Sequence, residues 1–279
     1  MIEIKSIDFA YSKKQKLFQD LNLSMQSGHI YGLLGKNGAG KTSLLKILSG
    51  LRFPQKGSVE VLAYRAEFRK PEMLREIYFL PEEIFTPMLK IRQLTNVYAS
   101  FYPNFSLEQY NAYLEEFDIT NRDLYINKLS HGQKKKVLIA FALACNTKIL
   151  LMDEPTNGLD IPSKSIFRKV MASAATEDRL VLISTHQVRD LHSLIDSIII
   201  LDNGEIVVNE PDERITQKLC FQAVDGDVDE KEVLYFEENL RGNLIVTENK
   251  HQIDSHLDLE LFFNAVMANK KRIKEIFNA

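Results

Sequence analysis

The sequence predicts an α/β protein centred on a buried parallel sheet. Antiparallel strands come before it, a helical insert interrupts it, and a small α+β appendage follows. Three observations carry that expectation. Residues 30–34 and 149–152 are continuous apolar runs of strand length, each leading on to a helical pattern, as strands covered on both faces do. Residues 180–184 form a third such run. Between the first run and its helix lies Gly35 to Ser43, GKNGAGKTS, around which the rest of the chain is organised.

That stretch fits G-x-x-x-x-G-K-[ST] in the strand–turn–helix context where the pattern means a phosphate-binding loop. Glycines at 35, 38 and 40 let the backbone turn tightly and present its N–H groups to phosphate oxygens. The following helix, predicted over 43–48, adds unpaired donors and the positive end of its dipole. Lys41 supplies a mobile charge for β- and γ-phosphates, and Thr42 a hydroxyl for Mg²⁺.

Composition bounds the rest. A chain of 279 residues is one large domain or a core with an appendage. Its 35 basic and 38 acidic residues give a net charge of −3, which leaves no global basic footprint, so nucleic acid is not an expected partner. Cys145 and Cys220 lack metal or disulfide spacing and read as small core or surface residues of a reducing compartment. The opening MIEIKSIDFAY reads as neither a signal nor a transit peptide. No apolar run approaches the ~18 residues of a membrane helix, so any work at a membrane needs another chain to span it.

In chain order, Ile2, Ile4, Ile7 and Phe9 alternate with polar residues, as do Leu21, Leu23 and Met25; both stretches predict antiparallel strands. Tyr11 lies between them, either packed like most aromatics or stacked on a nucleotide base. Gly50 closes the loop helix. Residues 54–57 read as a turn and 58–62 as a short strand. Residues 65–76 are charged and interrupted by Pro71. A strand over 76–80 stops at Pro81. Glu82 and Glu83 follow, as a solvated loop or as carboxylates within reach of a metal or water. Over 90–128 apolar residues recur at three and four, from Ile91 to Phe101 and from Leu107 to Phe117, which predicts two helices in an insert.

Leu129-Ser130-His131-Gly132-Gln133 precedes a helix predicted over 134–144, with Val137, Leu138, Phe141, Leu143 and Ala144 as its apolar face. Ser130 and Gly132 give that helix a hydroxyl and open amides, a second candidate anion site. Lys134, Lys135 and Lys136 read as its solvated start. Asp153 and Glu154 stand at the carboxyl end of the 149–152 strand, Pro155 ends it, and 157–160 make a turn into a helix over 161–175. Thr185 and His186 end the 180–184 strand. Ligands of open α/β sheets bind outside the carboxyl ends of the strands. The phosphate loop, Asp153 with Glu154, and His186 therefore converge on one edge. Asn203-Gly204 predicts a hairpin between 197–201 and 205–208. Beyond Pro211, short strands are predicted at 218–224, 233–236 and 243–246, separated by acidic loops. One last helix runs from about 258, with Leu259, Phe262, Phe263, Val266, Ile273 and Phe277 on its stripe.

Over residues 1 to about 210 the chain resembles the ATP-binding subunit of ABC (ATP-binding cassette) transporters, of the bacterial export type. GKNGAGKT is similar to the family's Walker A, ILLMDE to Walker B, LSHGQ to the signature LSGGQ, and NGLD to the D-loop. His186 resembles the switch histidine, and Tyr11 the aromatic that stacks on adenine. Two positions depart from the pattern: His131 stands where the signature has glycine, and Glu82 where the family has glutamine.

The resemblance implies a P-loop NTPase core of ABC type at 1–210 with a helical subdomain at about 86–130, and an accessory region at 211–279. It implies an ATPase. Tyr11, Gly35, Lys36, Asn37, Gly38, Ala39, Gly40, Lys41, Thr42 and Ser43 would bind ATP. Thr42, Asp153 and Glu82 would hold Mg²⁺. Glu154 would be the general base and His186 the γ-phosphate contact. Leu129, Ser130, His131, Gly132 and Gln133 would close on the ATP of a second subunit, in a homodimer or heterodimer, with Asp160 in the D-loop. A separate transmembrane permease subunit, gripped by the helical insert and the Glu82 loop, would perform export and hold this chain at the cytoplasmic face of the cell membrane. Two other classes stay open. One is a soluble ABC ATPase outside transport, against which stand the lack of sustained heptads and of a second phosphate loop. The other is a non-hydrolysing nucleotide-dependent regulator, against which stand the intact Asp153, Glu154 and His186.

Overall fold

The computed structural model describes residues 1–12, 15–84, 86–188, 191–224, 233–239 and 242–278. Strands β1 (Ile2–Ser12) and β2 (Gln15–Met25) pair antiparallel, with Ile2 opposite Met25 and Ile4 opposite Leu23. β3 (Ile30–Leu34) leads through the glycine-rich loop into α1 (Lys41–Leu48). β4 (Lys56–Val61) returns beside β1, and β5 (Tyr64–Arg65) completes a four-stranded sheet of order β2-β1-β4-β5. The short α2 (Pro71–Leu74) begins on a proline, which suits a first helical turn because no N–H is needed there. β6 (Ile77–Leu80) ends before Pro81. The insert holds α3 (Ile91–Tyr98) and α4 (Leu107–Glu116); the Ser106 hydroxyl caps α4 by accepting the Gln109 N–H.

The main sheet is completed by α5 (His131–Ala144), β7 (Ile149–Asp153), α6 (Ile161–Ala174) and β8 (Leu180–Thr185), then the hairpin of β9 (Ser197–Asp202) and β10 (Glu205–Pro211). Its order is β10-β9-β3-β8-β7-β6, parallel except for β10. Side chains of a strand alternate between faces, and here both faces are covered. Leu33, Leu151 and Leu182 pack with Ile4, Leu23 and Leu44 of the antiparallel sheet and α1. Leu34, Leu150 and Val181 turn the other way, toward Phe141 of α5 and Phe167 of α6. This double burial is why the central strands are continuous apolar runs, with Asp153, Ser184 and Thr185 at the carboxyl ends of β7 and β8.

The structure differs from expectation in several places. Helix α5 begins at His131, three residues early, because Ser130 and Gln133 cap it reciprocally. A short helix, α7 (Asp212–Lys218), lies where no periodicity was visible; two turns are too few to show one. The final helix is two, α8 (Leu259–Ala268) and α9 (Lys270–Asn278). The chain breaks at Asn269, whose side-chain amide donates to the Leu234 carbonyl. Before these, β11 (Leu219–Val224), β12 (Val233–Asn239) and β13 (Gly242–Glu248) form the antiparallel order β11-β13-β12. The acidic loop expected at 225–232 lies outside the described residues.

The appendage shares the core's interior. Ile215, Phe262 and Ile273 belong to the same buried cluster as Phe167 and Ile198. Lys270 and Lys274 of α9 pair with Asp202 and Glu205 on the β9–β10 hairpin. Cys145 and Cys220 are both free and buried. Among the described residues no helix is long and apolar enough to cross a membrane.

Candidate active site

Strands β3, β8 and β7 lie side by side, so the loop after β3, the acids ending β7 and the histidine after β8 meet at one edge. Gly40 caps α1 with φ +110°, and a Cβ there would come within 2.8 Å of the Phe18 ring. Only glycine meets both conditions. Lys41 follows. Its Nζ donates to the Gly35 carbonyl at 2.7 Å and the Lys36 carbonyl at 3.4 Å, and stands 4.0 Å from Glu154 Oε1. Burial lowers the Lys41 pKa, while the Glu154, Asp153 and Glu82 carboxylates work to raise it.

Thr42 Oγ1 donates to Asp153 Oδ2 at 2.6 Å, and the Ser184 hydroxyl donates to Asp153 Oδ1. The last residue of β7 is thus fixed from both sides. Glu154 adopts φ +46°, a left-handed conformation uncommon outside glycine. Its N–H donates to the Ser184 carbonyl at 3.1 Å. Its carboxylate meets His186 Nδ1 at 2.8 Å. A strained backbone of this kind costs about 1–3 kcal/mol and persists where its surroundings over-determine it.

Tyr11 is half exposed at the mouth. Its hydroxyl shares a 2.8 Å hydrogen bond with the Ser43 hydroxyl, its ring edge rests on Phe9 at 5.1 Å, and the Arg52 guanidinium lies 5.9 Å from its ring centre. Tyr11, Asn37, Gly38, Ala39, Gly40, Lys41, Thr42, Ser43, Glu82, Asp153 and Glu154 line one cleft of about 330 Å³, the size class of ligand pockets. Gly35 and Lys36 contribute through their carbonyls to Lys41. Thr42, Asp153 and Glu82 offer a hydroxyl and two carboxylates, hard oxygen donors of the kind Mg²⁺ takes.

The signature segment does not line this cleft. Leu129 is buried. Ser130 Oγ accepts the Gln133 N–H at 3.2 Å, and Gln133 Oε1 accepts the Ser130 N–H at 3.0 Å. His131 and Gly132 open α5, and the His131 ring lies against Gly158. Asp160 caps α6, accepting the Ser163 N–H at 2.9 Å.

Three residues at the site escaped the sequence reading. Ser184 orients Asp153. Asn157 donates to Glu82 Oε1 at 2.9 Å. Lys135, expected in solvent, is fully buried, with its ammonium on the carbonyls of Glu154 and Asn157. Burial lowers its pKa, opposed by Glu82, Glu154 and Asp153. Its spacing carried the signal: once α5 starts at His131, Lys135 falls on the face of Leu138, Ile139 and Ala142. Beyond Pro81, an apolar groove of about 270 Å³ opens between β6 and the insert, lined among others by Ile84, Leu94, Tyr98 and Tyr102.

A phosphate loop whose threonine is bonded to a strand-end aspartate, at the edge of a parallel sheet, places the protein among the P-loop nucleoside triphosphatases. The comparisons narrow this further. Residues 18–157, half of the chain, match the ABC transporter family. The chain is 28% identical over 233 residues to the ABC transporter ATP-binding protein YtrB of Bacillus subtilis (strain 168), covering 82% of this chain and 78% of that protein. It is 29% identical over 215 residues to the Nod factor export ATP-binding protein I of Burkholderia thailandensis, covering 73% and 70%. A solved ATP-binding subunit of an ABC transporter superimposes with a TM-score of 0.69 at 25% identity, covering 77% of this chain and 91% of that one. The chain belongs to the ABC transporter family, as an ATP-binding and ATP-hydrolysing subunit.

Proposed function

We propose that this chain closes on a second ATP-binding subunit with ATP between them, and that this cycle energises export through a separate transmembrane subunit. The observation that carries the reading is the unit formed by Lys41, Asp153 and Glu154 on one cleft, with His186 joined to Glu154. Loop amides and Lys41 bind the phosphates. Glu154 takes the proton of the attacking water as its oxygen bonds to the γ-phosphorus and the bond to the β-phosphate oxygen breaks, releasing ADP and phosphate. His186, joined to Glu154, orients that carboxylate beside the γ-phosphate. Tyr11 stacks on the base. Mg²⁺ held by Thr42, Asp153 and Glu82 would neutralise developing phosphate charge.

Ser130 and Gly132 stand at the N-terminus of α5, whose positive dipole end suits the γ-phosphate of ATP bound to a partner. The partner is a second copy or a related subunit. The apolar groove at Pro81 is the contact proposed for the membrane subunit, because Pro81 lines the groove and the next residue, Glu82, lines the cleft. The chain then works at the cytoplasmic face, with residues 1–210 as the cassette, 86–130 as its helical subdomain and 211–279 as an accessory region. Similarity to a relative named for export supports the outward direction.

The test is light scattering on Glu154→Gln protein. Mg-ATP is expected to double the 32.1 kDa mass of the chain, since ATP bound across an interface favours association. Protein that binds ATP yet stays a monomer would overturn closure between cassettes and favour the nucleotide-dependent regulator.

A further inference from the structure

Lys135 is a fully buried cation just past the LSHGQ segment. Burying an ammonium is costly unless its donors are met. Here Nζ donates to the Glu154 carbonyl at 2.6 Å and the Asn157 carbonyl at 2.9 Å. Those residues flank the turn that follows β7. The first carries the carboxylate assigned above as base. The second donates through Nδ2 to Glu82 at 2.9 Å. Glu154 is also the residue with φ +46°, and its N–H is already held by Ser184. Ser184 and Lys135 therefore hold the strained residue by its N–H and its C=O. The two segments touch once more at His131, whose Cδ2 would lie 2.7 Å from any Cβ placed on Gly158.

We propose that Lys135 is a positioning residue for ATP hydrolysis, binding the signature helix to the Glu154–Asn157 turn. Engagement of a subunit's signature with its partner's nucleotide is thereby felt at that subunit's own hydrolytic carboxylate. Lys135 does not line the nucleotide cleft. It acts through the backbone of Glu154 and through the Asn157–Glu82 bond. The inference rests on the closure of two cassettes proposed above.

Lys135→Met keeps the length of the side chain and removes its donors. Steady-state kcat is expected to fall about 10²-fold, the cost of a misplaced catalytic group. ATP affinity by calorimetry should stay within about threefold, because Lys41 and the loop are untouched and such a change is under 1 kcal/mol. The Hill coefficient for ATP should fall toward one. Lys135→Gln, which keeps an amide donor, should recover part of the rate. Unchanged kcat in Lys135→Met overturns the proposal. So does a parallel loss of kcat, affinity and melting temperature, which would mark a purely structural role. If Lys135→Met does not fold, Lys135→Gln carries the same comparison: lower kcat with affinity kept supports the proposal, and any other result overturns it. Glu154→Gln run alongside separates the two readings. Intact turnover in Lys135→Met beside a lost rate in Glu154→Gln overturns the role of Lys135 alone; intact turnover in both overturns the assignment of Glu154 and the proposal with it.

Discussion

Glu154→Gln is expected to lower steady-state ATP turnover by about 10²–10⁴-fold, the usual share of a general base. The substitution is nearly isosteric, and the backbone bond from the Glu154 N–H to Ser184 does not depend on the side chain. The Lys41 contacts to Gly35 and Lys36 also remain, so the phosphate loop keeps its shape. What is lost is the carboxylate proposed as base, which meets His186 Nδ1 at 2.8 Å. Phosphate release measured at saturating ATP checks it. A rate within twofold of the unsubstituted protein would remove Glu154 from the mechanism.

Lys41→Ala should weaken ATP binding about 10–100-fold, since hydrogen bonds from a charged donor contribute about 1.5–3 kcal/mol. Two losses combine. The phosphates lose their nearest mobile cation. The loop also loses a side chain that donates to two of its own carbonyls, so its amides are less well aimed. Thr42, Asp153 and Tyr11 stay in place, so residual binding through the base and the loop amides is expected. Titration calorimetry reads the change. Unaltered affinity would mean that phosphate recognition rests elsewhere.

The central strands were legible because double burial makes β3, β7 and β8 continuous apolar runs up to the polar residues at the carboxyl ends of β7 and β8. The convergence of Lys41, Asp153, Glu154 and His186 was legible for the same reason: once the strands are parallel, their carboxyl ends share an edge. Lys135 was not. A lysine after a polar segment reads as solvated, and only the true start of α5 at His131 turns it inward. Asn157 and Ser184 act through geometry that no spacing rule contains. The break between α8 and α9 was hidden because the apolar stripe continues across it. Phe262 and Ile273 lie in one cluster, while Asn269 leaves the helix for a tertiary partner. Glu82 was visible as an acid after a strand, but its bond to Asn157 needed the fold.

The ion pairs of α9 bear on anyone trimming this chain to a minimal cassette. A cut at residue 211 would spare every residue around the nucleotide, yet the fragment would inherit two wounds. The buried Asp202 carboxylate would lose Lys270. The apolar surface now lying under Ile215, Phe262 and Ile273 would meet water. The damage would not stay remote. Gly204 in the hairpin sits so close to the Leu17 carbonyl that no side chain fits between them, and Leu17 forms part of the ATP cleft wall. Through the β9–β10 hairpin, contacts run from the terminal region to the wall of that cleft.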